Sequence, residues 1–450
     1  MPYEPRLPVL NHYAGEVITH CGGRLLWQQS LALQKVKEFF TLSSNQNEVA
    51  LVSMPTGSGK TGVIACLPYY LADIRMAPES DDRRYLFNKP ILVIAPGIDI
   101  LNQLRQELTV WKYRDGQPPF LIRRDIVPGD RHADVLPNPF IIEGKSTLEN
   151  EPYLKTAGIV IANAQKFLGG NWENDLSDNL FRLVIVDEAH HHPARTWRRI
   201  VEKFRNPNCP VVFFTATPYR TDRKPVLPLD SYINIAYHLS LRDAVEGRII
   251  RQTQFEELTE VRPDPDDAFL QGPEVYTPAQ KSEIKRMIPI LERVHELLQQ
   301  KRSAAPRVPH MAIAIAKDTS YANLLLELWR SRYSNQPAES YHSKNENDNP
   351  TIMGKLIRNE LSLVIVVAKL LEGFDHPPIS IAAITCRVQS QVRFVQFIGR
   401  AQRIYRQDGY NDTQFANIVS HIDYQQRQNY TNFETEALIP QTNNESIDES

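Results

Sequence analysis

Residues Ala50 to Thr61 read ALVSMPTGSGKT. A short apolar run, a turn with two glycines and the onset of a helical pattern follow one another, which is the strand, loop, helix order of a phosphate cradle. Glycines let backbone amides approach phosphates, Lys60 is placed to reach the β and γ groups, and the Thr61 hydroxyl to ligate Mg2+. Met54 stands where the strict pattern has Gly. Thr56, Gly57, Ser58, Gly59, Lys60 and Thr61 are therefore expected to hold a nucleoside triphosphate.

The surroundings of this loop read as an α/β protein. Runs at Val49 to Val52, Ile91 to Ile94, Gly158 to Ile161, Leu183 to Val186 and Val211 to Phe214 are apolar on both faces, as a parallel sheet covered by helices on both sides requires. Residues 23–225 are read as a first α/β domain behind a lead-in of residues 1–22. Residues 226–275 carry RPDPDD and QGPEVYTP, whose Pro and Asp clusters break regular elements and read as a linker. A helical pattern over Lys281 to Gln300 and apolar runs at Met311 to Ala316, Leu361 to Val367 and Ile379 to Thr385 predict a second, smaller α/β domain over residues 276–425. The polar residues 426–450 read as a disordered tail.

Composition narrows the function classes. At 450 residues the chain has room for two or three domains at about 150 residues each. Lys and Arg total 51 against 53 Asp and Glu, so any basic surface must be local rather than a field of the whole molecule. Cys21, Cys66, Cys209 and Cys386 lie far apart without a CxxC pair, which argues against a disulfide framework and a thiolate zinc site and for a reducing compartment. The N-terminus lacks the apolar core of a signal peptide and no run reaches the roughly 18 residues of a membrane span. A cytoplasmic location is expected, or a nuclear one in a eukaryote, with no membrane partner.

A second group of chemistry-bearing residues follows the run Leu183 to Val186. Asp187 and Glu188 fall at the carboxyl end of a buried strand, where open α/β sheets bind ligands. Asp187 is suited to hold Mg2+ and Glu188 to orient and deprotonate an attacking water, since phosphoryl transfer needs positioning and charge stabilisation. Successive residues of a turn rarely converge on one ion, so His190, His191 and His192 are not read as a metal cluster.

Together these stretches resemble the superfamily 2 DEAD/DEAH-box helicases, with MPTGSGKT as motif I and Asp187 to His190 (DEAH) as motif II. FFTATP, Phe213 to Pro218, resembles motif III; LVIVVAKLLEGFDHP, Leu363 to Pro377, motif V; and QFIGRAQR, Gln396 to Arg403, motif VI. Pro96 to Gln103 resembles motif Ia, ANAQK at Ala162 to Lys166 a nucleic-acid loop, and Met311 to Asp318 motif IV. Trp27 and Gln28 look like the aromatic-Gln element that reads adenine, although Leu25 stands where that element has Arg, with Arg24 beside it. In motif V, Val367 and Lys369 stand near the usual Thr. The closest flavour is that of the DEAH-bearing helicase subunits of type III and type I restriction-like systems.

The resemblance implies two tandem RecA-like domains, each a mainly parallel sheet with helices on both faces, using ATP and Mg2+. It implies ATP contacts from Gln28, the loop Thr56 to Thr61, Gly373 and Asp375, metal contacts from Thr61 and Asp187, and catalytic roles for Lys60, Glu188, Gln396, Arg400 and Arg403. Arg400 and Arg403, three apart, would share a face of a helix and aim at the γ-phosphate. His190, Thr215 and Thr217 would couple nucleotide state to movement; Gln103, Asn163 and Gln165 would touch nucleic acid. Residues 193–224 hold eight basic residues against two acidic ones, which suits a polyanion or equally a solvated helix face. Within that stretch Trp197 suits base stacking or, at helical spacing, core packing. The expected function is an ATP-dependent helicase or translocase on nucleic acid, DNA ahead of RNA, with room for a protein partner. The alternative is an ATP-gated sensor or clamp that switches a partner without processive unwinding.

Overall fold

Val49 to Ser53, five residues of which three are valine or leucine, form β1, buried along its whole length. The computed structural model describes residues 17–42, 45, 47–72, 89–109, 118–127, 136–137, 139–142, 154–155, 157–169, 172–189, 194–206, 208–216, 233–261, 276–342, 344, 348–367, 376–407, 410–412 and 414–436. Two units divide the chain: Met1–Pro55 with Gly59–Leu239, and Thr56–Ser58 with Ser240–Ser450.

In the first unit β1 is joined by β2 (Ile91–Ala95), β3 (Pro139–Ile142), β4 (Ile159–Asn163), β5 (Leu183–Val186), β6 (Val211–Thr215) and β7 (Ile233–His238). Their order is β3-β4-β2-β5-β6-β1-β7, and every pairing is parallel. Parallel neighbours need crossovers, supplied here by helices that include Lys60–Tyr70, Ile98–Leu108 and Ala194–Phe204, while helix Trp27–Thr41 precedes β1. Helix Trp27–Thr41 buries Ala32, Leu33, Val36 and Phe40, one stripe at helical period. On one face of the sheet Trp172 packs edge-on to Phe167 at 5.1 Å and stacks on Phe204 at 6.0 Å.

The second unit holds β8 (Thr253–Leu258), β9 (Met311–Ala316), β10 (Ala338–Tyr341), β11 (Leu363–Val367) and β12 (Ile379–Ile384). A two-stranded antiparallel ribbon, β13 (Arg406–Gln407) and β14 (Tyr410–Asn411), precedes β15 (Ala416–His421). The large sheet runs β10-β11-β9-β12-β15-β8, again all parallel. Helix Pro278–Ala304 begins at a capping box between Thr277 and Gln280, with Pro278 in its first turn. It packs Ile284, Leu291, Val294 and Leu298 into a core shared with Trp329.

The expected fold class is the one observed, and two segments differ from their reading. Residues 226–275 contribute β7 to the first sheet and the helix Leu241–Glu246 and β8 to the second unit. Both strands lie at sheet ends and are polar on one side, so they lack an apolar run. In the polar tail, Arg427–Glu436 is a helix. Its Tyr430 and Phe433, three apart, are buried against the second sheet. Among the described residues no helix is long and apolar enough to cross a membrane.

Candidate functional site

The loop after β1 closes on itself. Lys60 opens helix Lys60–Tyr70, and its ammonium donates to the Met54 carbonyl at 3.2 Å while lying 3.4 Å from Glu188 Oε1. The lysine therefore already spans the loop and the end of β5, with its side chain 9% exposed. Met54 N in turn donates to the Thr215 carbonyl at 3.0 Å, so the base of the loop is bonded to the end of β6. Gly59 has φ +93°, the left-handed region that glycine enters without strain. A Cβ there would also lie 2.5 Å from Gln29 Nε2, and one at Gly62 2.4 Å from the same atom.

That amide is a residue the sequence reading passed over. Gln29 Nε2 donates to the Gly59 carbonyl at 2.9 Å and its Oε1 accepts from Leu26 N at 3.0 Å, clamping the loop to the start of helix Trp27–Thr41. Gln28, the residue expected at adenine, is fully buried beside it. The signal was present as the spacing Leu26-x-x-Gln29, a glutamine three residues into a helix that reaches back to the cap.

Asp187 and Glu188 follow β5 directly. Asp187 N donates to the Ile94 carbonyl of β2, and Asp187 Oδ1 accepts from Glu188 N, both at 2.9 Å. Burial, then the Glu188 carboxylate, raises the Asp187 pKa, against the pull of Lys60. Two acids facing one ammonium leave an excess of negative charge in a desolvated place, which a hard cation would offset. Glu188 has φ +47°, a left-handed conformation that costs a non-glycine residue free energy. Strain of this kind persists where the surroundings hold it, here through the contacts of Glu188 with Asp187 and Lys60.

Lys60→Ala is expected to weaken ATP binding by about 10- to 100-fold, the worth of a charge-assisted hydrogen bond to phosphate. Titration with a fluorescent ATP analogue measures it, and an unchanged affinity would remove Lys60 from the nucleotide site.

In the second unit Gln396 lies in helix Gln391–Ile398 and is buried, as is Arg400, while Arg403 is half-buried. The expectation that Arg400 and Arg403 share a helix face is corrected: the helix ends at Ile398, Gly399 is its cap, and Arg403 forms an antiparallel bridge with Ile250. A turn, not a helix, sets the two side chains. Gly373, Asp375, His190 and Thr217 lie outside the described residues.

Thr215 is buried at the end of β6. Asn163 Oδ1 accepts from Gln165 N at 2.9 Å, capping the turn that follows β4 and leaving Gln165 exposed; Gln103 is half-buried on helix Ile98–Leu108. Of the basic stretch, Arg199 is paired with Glu173 and lies over the Trp172 ring, and Lys203 is paired with Asp178 at 2.5 Å, so part of its charge is answered locally. The side chain of Trp197 lies outside the described residues. Among the described residues no three His, Cys, Asp or Glu side chains gather as a metal cluster.

Residues 24–220 match the family described as type III restriction enzyme, res subunit. IRC3, a candidate ATP-dependent helicase of Saccharomyces cerevisiae, is 23% identical over 325 residues, 68% of this chain and 44% of the relative. The chain thus spans less than half the length of that curated relative. A fragment of a candidate HsdR subunit of a type I restriction enzyme from Vibrio vulnificus superposes with a TM-score of 0.54 at 19% identity, over 89% of this chain and 64% of that one. The helicase Lhr of Mycobacterium smegmatis, solved with ssDNA and AMP-PNP, gives 0.51 at 14% identity, over 89% and 48%. LlaBIII, an ATP-dependent type ISP restriction-modification enzyme solved with DNA, gives 0.56 at 15% identity, over 88% and 27%. The fold is that of tandem RecA-like domains, and the resemblance to superfamily 2 helicases read from the motifs is borne out.

Proposed function

We propose that this protein is a superfamily 2 motor that hydrolyses ATP to drive movement along, or opening of, nucleic acid, DNA ahead of RNA. The observation that carries the reading is the cluster of buried Lys60 and Asp187 with half-buried Glu188, where a glycine loop after one parallel strand meets two acids after another. Hard oxygen donors are what Mg2+ takes, and Asp187 with the Thr61 hydroxyl would hold it, where it would supply positive charge to offset that of the phosphates. Lys60 would leave Glu188 for the β and γ groups as ATP enters, freeing the carboxylate to orient water. Arg400 and Arg403 would stabilise the charge that develops on the transferred phosphoryl group, with Gln396 beside them.

Gln165 and Gln103 would contact the strand, with Asn163 shaping the turn that presents Gln165. Thr215, whose carbonyl accepts from Met54 N, would couple nucleotide state to movement, as would His190 and Thr217. The family matched by residues 24–220 and the name of the yeast relative support the motor reading.

The test is ATP hydrolysis by the wild-type chain alone and with single-stranded or duplex DNA and RNA at two salt concentrations. Stimulation by nucleic acid that weakens as salt rises is expected, because phosphate contacts release counterions. Hydrolysis that no nucleic acid stimulates would overturn the motor reading in favour of a switch gated by a protein partner.

A further inference from the structure

Arg251 lies between β7 and β8, in the segment whose sequence reads as a linker, yet its side chain is completely buried. Its guanidinium reaches four residues on three stretches of chain. Nε and Nη2 donate to Asp412 Oδ2 at 3.1 and 2.5 Å, and Nη1 donates to the carbonyls of Pro377 at 3.3 Å, Ile379 at 3.0 Å and Ala401 at 3.1 Å. The backbone adds to this grip. Arg251 N donates to the Gln402 carbonyl at 2.5 Å, Gln402 Nε2 reaches back to the Arg251 carbonyl at 3.5 Å, and Ile250 bridges Arg403. Asp412 is fixed in turn by Gln414 N on Oδ1 at 3.1 Å and through its own N to the Tyr405 carbonyl at 2.9 Å.

Stability alone is a poor account of this arrangement. Two charges taken out of water cost heavily, and a well-packed apolar pair of similar volume commonly serves a core as well or better. What an apolar pair cannot do is hold carbonyls of Pro377, Ile379 and Ala401 at set positions around one planar fork of donors. Lysine lacks that fork. Two of the three carbonyls border segments singled out from the sequence: Pro377 closes the stretch resembling motif V, and Ala401 sits between Arg400 and Arg403.

We propose that Arg251 is a positioning residue for ATP hydrolysis: paired with Asp412, it fixes the Gly399 to Arg403 turn and ties it to Pro377, so that Arg403 is set for the γ-phosphate. The proposal rests on the functional reading above. Arg251 touches no nucleotide in this role and acts through the turn.

The experiment compares Arg251→Lys and the apolar double replacement Arg251→Met with Asp412→Leu, each alone and combined with Arg403→Ala. Melting temperature, affinity for a fluorescent ATP analogue, and kcat and KM for ATP are measured on the full chain. The double replacement is expected to fold and to bind the analogue within about threefold of wild type while kcat falls about 100-fold, the cost of a misplaced reacting group. Arg251→Lys, which keeps the charge, is expected between the two and remains informative if the double replacement does not fold. In the Arg403→Ala background either change should lower kcat by less than about threefold, because residues that act through one another are not additive. A kcat that stays near wild type in a folded variant overturns the proposal. So does a loss that multiplies fully with that of Arg403→Ala, or one in which binding and melting temperature fall together with kcat. A wild-type chain that hydrolyses no ATP would instead sink the functional reading, whereas hydrolysis indifferent to Arg251 sinks this proposal alone.

Discussion

Glu188→Gln is expected to bind ATP as tightly as wild type and to turn it over about 10²- to 10⁴-fold more slowly, the usual contribution of a positioned general base. The expectation comes from geometry and charge together. Glu188 follows a buried strand, touches Lys60 and sits on a backbone conformation that nothing but its surroundings maintains. Glutamine has the same shape, keeps a hydrogen-bonding oxygen and cannot take a proton from water, so the substitution separates the base from the fold. If Glu188 faces the γ-phosphate as proposed, removing its negative charge would not weaken nucleotide binding. Single-turnover hydrolysis beside analogue binding checks both halves, and turnover within about threefold of wild type would take Glu188 out of the chemistry.

Arg403→Ala is expected to lower turnover by about 10³-fold, the lower end of the range for an arginine that meets transition-state charge, because Arg400 lies in the same turn. ATP affinity should change little, since the interaction develops as the phosphoryl group transfers. Arg403→Lys should recover only part of the rate: the ammonium restores charge but not the planar fork. The measurement is kcat against KM for the three proteins. A raised KM with kcat unchanged would make Arg403 a binding residue instead.

The legible parts of the molecule are those whose signal is local. The glycine loop, the acids after β5 and the QxxGRxxR stretch each occupy a few consecutive residues, and the five strands read in the first unit are apolar runs buried on both faces. Helical periodicity also placed Lys281 to Gln300 within the observed Pro278–Ala304. What escaped depends on direction or distance. Gln28 and Gln29 differ by one position, but successive helix residues point about 100° apart, and only packing decides which amide meets the loop. Arg251 gives no local sign at all, because its partners lie more than 120 positions away in sequence, from Pro377 at 126 to Asp412 at 161. The helix over Arg427–Glu436 did carry a sign, the apolar pair Tyr430 and Phe433, hidden in a polar composition. Arg400 and Arg403 show the reverse error, a helical spacing that a glycine cap converts into a turn.

The strand order of the second sheet bears on how the chain is made. β8 is an end strand whose sheet neighbour is β15, paired Thr253 with Ala416 and His421 with Leu258. Asn417 and Gln254, bonded across that pair, are 163 residues apart. At about 5–20 residues per second on the ribosome, β8 waits roughly 10–30 s for its neighbour to be synthesised. An open strand edge is a template for association with other chains, and charge along it is the usual defence. β8 reads TQFEEL, with Glu256 and Glu257 in its middle. In the finished sheet they pair with Arg293 and Arg427; on the nascent chain the same two carboxylates would keep the waiting edge apart from its copies on neighbouring ribosomes.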